Sequence, residues 1–136
     1  MAPTNIQEIP VAFKSAATLF VGSEDLDHIR ASVTADGVDV IQTAGLEEAI
    51  QALALVILLD ADGHWDWAYA LRHLVEMNPT VCVVVLARNA DNHMWVEVLS
   101  QGAHDLLRKP LLSSEVRTAV LGAVQTQRRR TTGAGA

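Results

Sequence analysis

The sequence predicts an α/β fold with one doubly wound, five-stranded parallel sheet that carries helices on both faces. Five short apolar segments alternate with five amphipathic ones along the chain. Two of the apolar segments, residues 55–59 and 81–86, are continuous rather than alternating, which is typical of strands covered on both faces. With 136 residues, half of them hydrophobic, the chain is long enough for one core and too short for two ordinary domains.

The first strand is predicted at residues 18–21, with Ser23 as the N-cap of a helix that has Glu24 and Asp25 in its first turn. After this helix and a turn, a second strand is predicted at residues 38–41. The apolar positions of the first helix are Leu26, Ile29 and Val33, and those of the second are Leu46, Ala49, Ile50 and Leu53.

The third strand, residues 55–59, ends at Asp60, and the helix after it is stopped by Asn78 and Pro79. A fourth strand is predicted at residues 81–86. The apolar positions of the third helix include Leu71, Leu74 and Val75.

A fourth helix is predicted over residues 91–101, with Gly102 as its C-terminal cap. A short fifth strand at residues 105–108 precedes the last helix, which Ser113 or Ser114 is expected to cap. The buried positions of that helix are Val116, Val120 and Val124. In such a sheet the connections are expected to be right-handed, and the ligand site is expected beyond the carboxyl ends of the strands.

The net charge of −6 predicts an acidic surface, which opposes broad attraction to nucleic acid or to anionic membranes. The longest apolar run, residues 53–59, is far shorter than the ~20 residues of a membrane-spanning helix. Cys82 has no disulfide partner within the chain and is expected to pack as a small apolar residue. A cytoplasmic protein with no nucleic-acid or membrane partner is therefore expected.

The predicted domain organisation has three parts. Residues 1–16 show no sustained period and are expected to form an extended leader, and residues 17–127 form the folded domain. Residues 128–136 are expected to form a flexible tail, basic at first and then rich in Gly and Ala. The chain leaves no room for a second domain of ordinary size, so it is expected to be either a stand-alone domain or a piece of a longer protein.

Side chains that follow different strands are expected to converge at the carboxyl edge of the sheet. They are residues 22–25, Asp60, Ala87 and Lys109. A central carboxylate opposite a lysine suits a phosphoryl acceptor, because the carboxylate is the nucleophile and the ammonium balances the charge of the phosphoryl oxygens. Mg²⁺ held by nearby oxygen ligands normally accompanies such a site.

Two segments resemble a known family. "ALVILLDAD" (residues 54–62) and "LSQGAHDLLRKPL" (residues 99–111) resemble the third-strand and fifth-strand signatures of response-regulator receiver domains, related to the chemotaxis response regulator. The resemblance covers residues 17–126. It implies a flavodoxin-like receiver fold with strand order 2-1-3-4-5 and a role in two-component phosphorelay signalling. It implies no enzymatic activity beyond self-catalysed aspartyl phosphotransfer.

By this resemblance Asp60 matches the phosphorylated aspartate, and Lys109 matches the lysine that contacts the phosphoryl group. Pro110 matches a proline that often follows that lysine through a cis peptide. Asp62 lies where the family lends a backbone carbonyl to the metal. The resemblance implies a histidine kinase or another signalling protein as partner, and Mg²⁺, weakly held, as cofactor.

Several positions depart from the family pattern. Ala87 stands where a Ser or Thr hydroxyl normally bonds the phosphoryl group, and Leu106 replaces the Tyr or Phe that commonly changes rotamer on phosphorylation. The acidic pair expected directly after the first strand is absent. Glu24 and Asp25 come two residues later, and they either reach the metal or act only as first-turn acids of the helix.

Tryptophans are the remaining candidate residues. Trp65 and Trp67, at i and i+2, cannot both face the same way on a helix, so packing and partner contact both stay open for them. Trp95 lies on the fourth helix, an element that receivers commonly use for dimerisation, and either forms an interface or packs on the sheet. A homodimer through the last two helices is one assembly that this pattern suggests.

Two functional hypotheses follow. In the first, an atypical receiver acts by protein–protein interaction; in the second, a conventional receiver is phosphorylated on Asp60 by a histidine kinase, with Glu24 or Asp25 helping to hold Mg²⁺. A flavin-binding or nucleotide-binding enzyme is disfavoured, because the segment at residues 22–25 contains the acidic Glu24 and Asp25, which repel phosphate. The sequence also has no Walker loop, no dinucleotide-binding glycine fingerprint, and no metal-ligand spacing among its five histidines.

Overall fold

The computed structural model describes residues 18–22, 24–43, 45–52, 54, 56–62 and 66–131. Several predicted features lie outside the described residues. They are the leader at residues 1–16, Ser23, Leu53, Trp65 and residues 132–136.

Five parallel strands form the centre of the structure. Their bounds are β1 (Thr18–Val21), β2 (Val40–Thr43), β3 (Val56–Asp60), β4 (Cys82–Ala87) and β5 (Asp105–Arg108). They pair in the order β2-β1-β3-β4-β5, so the predicted doubly wound sheet and its strand order are confirmed.

In the described part of the chain, five α-helices connect and follow the strands. Their bounds are α1 (Leu26–Val33), α2 (Leu46–Ala52), α3 (Trp67–Met77), α4 (Asn92–Ser100) and α5 (Ser113–Thr131). The side chains of Asp66 and Asp91 cap α3 and α4 by accepting backbone N–H bonds from Tyr69 and Met94. Among the described residues, no helix is long and apolar enough to cross a membrane.

The sheet separates two apolar cores. Alternate residues of a strand point to opposite faces, so Ile57 and Leu59 of β3 belong to one core and Leu58 to the other. Residues of α2, α3 and α4 complete the first core, and residues of α1 and α5 complete the second. Every residue of β3 and β4 is buried, which explains why both strands are continuous apolar runs in the sequence.

The start of α1 differs from the prediction. Asp25 occupies the N-cap position with a φ of 70°, a left-handed conformation that is uncommon outside glycine, and its side chain makes no capping hydrogen bond. The helix therefore begins at Leu26, and the expectation that Glu24 and Asp25 form its first turn is wrong. This geometry leaves both carboxylates on the loop between β1 and α1.

Two other boundaries also differ. The edge strand β2 covers Val40–Thr43 rather than residues 38–41, and these four residues pair with β1. Val40 is buried, whereas the three residues after it are partly or fully exposed. The last helix continues to Thr131, so Arg128 and Arg129 belong to a helix rather than to the flexible tail predicted from residue 128. Helix α5 thus extends well past the packed stripe that includes Val116 and Val120.

Candidate functional site

The predicted aspartate and lysine meet at the carboxyl edge of the sheet. Asp60 is the last residue of β3, and Lys109 directly follows β5. Strand β4 lies between those two strands, so the lysine side chain crosses the end of β4 to reach the aspartate. The Lys109 Nζ to Asp60 Oδ2 distance is 2.9 Å, and the two side chains are only 5% and 7% exposed.

Two further carboxylates face the same ammonium group. Asp62 Oδ2 lies 3.2 Å and Asp25 Oδ2 lies 3.7 Å from Lys109 Nζ. Burial is the largest single influence on the pKa of Lys109 and lowers it, but the hydrogen bonds and charges of Asp60 and Asp62 together outweigh burial. The pKa of Lys109 is therefore raised above its ordinary value, and the ammonium stays charged at neutral pH.

Backbone hydrogen bonds hold the loops that carry these groups. The amide of Asp62 donates to Asp60 Oδ1 at 2.8 Å, and the amide of Lys109 donates to the carbonyl of Ala87 at 2.9 Å. The Lys109–Pro110 peptide bond is cis, as the resemblance implied. The aspartate and the lysine are thus fixed by their own neighbouring backbone as well as by their ion pair.

Glycine at position 22 permits the close approach of β1 to this site. A Cβ atom at Gly22 would lie 2.8 Å from the Cβ of Asp60 and 2.8 Å from the Cζ of Phe20. Real Cβ atoms essentially never approach other heavy atoms that closely. Asp60 therefore leaves no room for a side chain at position 22 unless the backbone moves.

The end of β4 presents no hydroxyl group to the site. Ala87 is buried beside the lysine, and Leu106 on the neighbouring strand is also buried. Neither side chain has a polar atom that can donate to a phosphoryl oxygen. The two positions that the sequence resemblance assigns to a hydroxyl and an aromatic ring are apolar here.

Arg88 is a site residue that the sequence analysis missed. Its backbone amide donates to both carboxylate oxygens of Asp62, at 3.0 Å and 3.3 Å, and its Nη2 donates to Glu24 Oε1 at 3.1 Å. Glu24 therefore pairs with an arginine and is not among the carboxylates around Lys109, although it was a candidate metal ligand. The one available signal was the position of Arg88 directly after β4, at the expected ligand edge.

The described residues supply oxygen ligands that Mg²⁺ prefers, but they pair with Lys109 and do not form a ready-made metal site. Carboxylate oxygens are the ligands that Mg²⁺ prefers, and Asp25, Asp60 and Asp62 supply them. All three, however, direct an oxygen at Lys109 Nζ. Within the described part of the chain, no group of three or more His, Cys, Asp or Glu side chains is arranged to hold a metal ion.

The tryptophans fall in different environments. Trp67 begins α3 and packs against the core that α2, α3 and α4 cover, whereas Trp95 on α4 is 43% exposed beside the exposed Val96 and Leu99. Trp95 also lines a groove of about 780 Å³ between α4 and α5 that passes over β5. Leu112 borders the same groove and is exposed.

Comparison with known proteins identifies the fold. No protein-family model matches the chain, and no curated protein matches it. Solved structures do match: the signal receiver domain of a protein described as a Luxo repressor from Vibrio parahaemolyticus aligns at a TM-score of 0.75 and 19% identity, over 87% of this chain and 96% of that one.

Two further structures give the same result. The beryllofluoride-activated NtrC4 receiver domain dimer aligns at a TM-score of 0.73 and 20% identity, over 82% of this chain and 98% of that one. A two-component response regulator from Clostridium difficile aligns at a TM-score of 0.70 and 16% identity, over 82% and 97% of the two chains. The chain therefore has the flavodoxin-like fold of response-regulator receiver domains.

Proposed function

We propose that this chain is an atypical receiver module of two-component signalling that acts mainly by binding another protein. The observation that carries the proposal is the buried Asp60–Lys109 pair at the ligand edge of a receiver fold, next to an end of β4 that has no hydroxyl. The scaffold and the charged pair are retained, while the parts that report phosphorylation to the surface are not.

The absence of a hydroxyl at position 87 reduces the free energy with which phosphorylation could change the conformation. A hydrogen bond from a hydroxyl to a charged phosphoryl oxygen contributes about 1.5–3 kcal/mol, which biases a two-state equilibrium by about one to two decades. Ala87 supplies no such bond, and Leu106 has no polar tip that can follow one. Phosphorylation of this chain is therefore expected to change its surface much less than in a conventional receiver.

The surface of α4 supports the interaction role. Trp95, Val96 and Leu99 are exposed on this helix, and exposed aromatic side chains beside a groove are typical of protein contact sites. The proposed partners are a histidine kinase, another signalling protein, or a second copy of the chain.

A conventional receiver is the second candidate function, favoured by the position of Lys109 against Asp60. In the transfer step, an Asp60 carboxylate oxygen forms a bond to phosphorus while the bond from phosphorus to the donor breaks, and the donor keeps that electron pair. Lys109 Nζ balances the charge of the phosphoryl oxygens. Water later attacks phosphorus, the bond from phosphorus to the Asp60 oxygen breaks, and inorganic phosphate leaves, which restores the carboxylate.

The two candidates are separated by incubation with acetyl phosphate and MgCl₂, followed by intact-mass measurement. The atypical receiver predicts no gain in mass under conditions that label a conventional receiver used as a positive control. A gain of one phosphoryl group that Asp60→Asn abolishes would establish the second candidate instead. A gain that Asp60→Asn leaves intact would locate the reaction at another residue and contradict both candidates.

A further inference from the structure

An ion pair crosses the mouth of the candidate site. Glu24 follows β1 and Arg88 follows β4, and β3 lies between these two strands in the sheet. Neighbouring strands are about 4.8 Å apart, so a contact between the ends of β1 and β4 has to pass over the end of β3. Asp60 is the residue at that end.

The backbone of Arg88 is held in place, whereas its side chain is exposed. The backbone amide of Arg88 is held by the Asp62 carboxylate, whereas the Arg88 and Glu24 side chains are 63% and 59% exposed. Ion pairs this exposed contribute little to stability, because water and salt screen them. The guanidinium can therefore leave Glu24 at small cost while its backbone stays beside the site.

Charge at the site favours such an exchange when an anion binds. Among the described residues, the ion pairs at the site join four carboxylates, those of Glu24, Asp25, Asp60 and Asp62, to two cations, Lys109 and Arg88. An anion at Asp60 adds negative charge to a cluster that already has an excess of it. A guanidinium is planar and always charged, and it binds tetrahedral oxyanions with paired N–H donors.

We propose that Arg88 is the anion-binding residue of this site and that Glu24 holds it away from Asp60 when no anion is bound. The ligand is a phosphoryl group on Asp60 or a tetrahedral mimic of it. The guanidinium donates to the terminal phosphoryl oxygens that a hydroxyl at position 87 would otherwise serve. This inference rests on the second candidate function, in which Asp60 is the phosphoacceptor.

The experiment titrates the whole chain with beryllofluoride in the presence of MgCl₂ and follows the bound species by fluorine NMR. Arg88→Ala is expected to weaken apparent affinity by about tenfold to a hundredfold, because a charge-assisted hydrogen bond is lost. Glu24→Gln is expected to strengthen it by about twofold to fivefold, because the competing pair is weak. Arg88→Lys, which keeps the charge without the paired donors, is expected to lie between Arg88→Ala and the unchanged chain.

Matched controls separate the specific contact from general charge. Arg72→Ala removes an exposed arginine from α3 and should leave the affinity unchanged. When Arg88 is replaced by alanine, Glu24→Gln should raise the affinity for beryllofluoride much less than it does in the unchanged chain. Equal affinities for Arg88→Ala and Arg72→Ala, or a Glu24→Gln gain that persists in full without Arg88, would overturn the inference.

The outcome also distinguishes the inference from the function on which it rests. A complex that requires Asp60 but not Arg88 overturns the inference alone. The lack of any complex in both the unchanged chain and Glu24→Gln overturns the inference together with the phosphoacceptor role of Asp60.

Discussion

Lys109 has the most unusual surroundings of any residue in the site. Its ammonium is almost fully buried and faces three carboxylates, of which Asp60 is equally buried. Charged groups are taken out of water at a high cost, which the mutual attraction of a well-formed pair offsets only in part. The pair is therefore better evidence of a functional arrangement than of added stability.

This residue can be tested by comparing the free energy of unfolding of a single variant and a double variant with that of the unchanged chain. Lys109→Met leaves Asp60 buried without its cation and is expected to destabilise the fold by about 3–5 kcal/mol. Asp60→Asn/Lys109→Met removes both charges and is expected to recover about 1–3 kcal/mol of that loss. Urea denaturation of the two variants and the unchanged chain measures both values. A double variant no more stable than Lys109→Met would show that the lysine acts by packing and not by pairing.

Alkaline pH should reveal the same pair. The pKa of Lys109 is raised in the folded state, so its contribution to stability is complete below the unfolded-state pKa of about 10.4 and is lost as pH rises through the folded-state pKa. Urea midpoints measured from about pH 8 to about pH 11 should therefore stay level and then fall. The fall should be smaller in Asp60→Asn/Lys109→Met, which retains every other titrating group. Parallel curves for the two proteins would contradict this assignment.

Residues of the site differ in how well the sequence alone could identify them. Asp60 and Lys109 were identifiable because each ends or follows an apolar strand and each matches a motif. Arg88 was not, because its partner Glu24 is 64 positions away and the contact exists only once β1 and β4 are arranged around β3. The left-handed backbone of Asp25, which turns its carboxylate toward Lys109, has no signature in the residue types.

At the scale of secondary-structure elements, the distance between β1 and β3 depends on Gly22. Gly22→Ala would drive a methyl group against Asp60 and Phe20, and overpacking of this kind costs about 1–3 kcal/mol. Gly122→Ala is the matched control, because its Cβ would meet only His104 at 4.0 Å and an alanine inside a helix gains about 0.5–1 kcal/mol. Thermal or urea unfolding should show a lower stability for Gly22→Ala and a higher stability for Gly122→Ala than for the unchanged chain. Equal effects would mean that the end of β1 is free to move away from Asp60.

Elements with a buried surface were predictable, and those at edges were less so. The central strands β3 and β4 were predicted to within one residue because burial on both faces leaves a continuous apolar run. The edge strand β2 was misplaced by two residues, since only one of its four residues is fully buried and Val38 carries the same apolar signal as Val40. A tail was predicted from residue 128, whereas α5 continues to Thr131, because polar residues do not distinguish an exposed helix from a tail.

At the scale of the whole molecule, a charged region and an exposed apolar region lie in different places. The carboxyl edge of the sheet carries the charged site, whereas the face of α4 carries exposed apolar side chains beside a groove. In a receiver with a hydroxyl at position 87 and an aromatic ring at position 106, these two regions would be linked by side chains that move together. Here buried apolar side chains lie between them, so the α4 face is expected to bind its partner whether or not Asp60 is modified.

Self-association is the form of partner binding that can be measured without a second protein. If a second copy is the partner, sedimentation velocity should show a dimer that forms with rising concentration. Trp95→Ala should weaken it by about thirtyfold, as expected for an aromatic contact worth about 2 kcal/mol. Met77→Ala is the control, since Met77 is a comparably exposed apolar residue on α3. Asp60→Asn should leave dimerisation unchanged, because the α4 face has no side-chain relay from the site. A dimer that Met77→Ala weakens as much as Trp95→Ala would contradict the choice of face, and one that Asp60→Asn abolishes would contradict the proposed independence of the two regions.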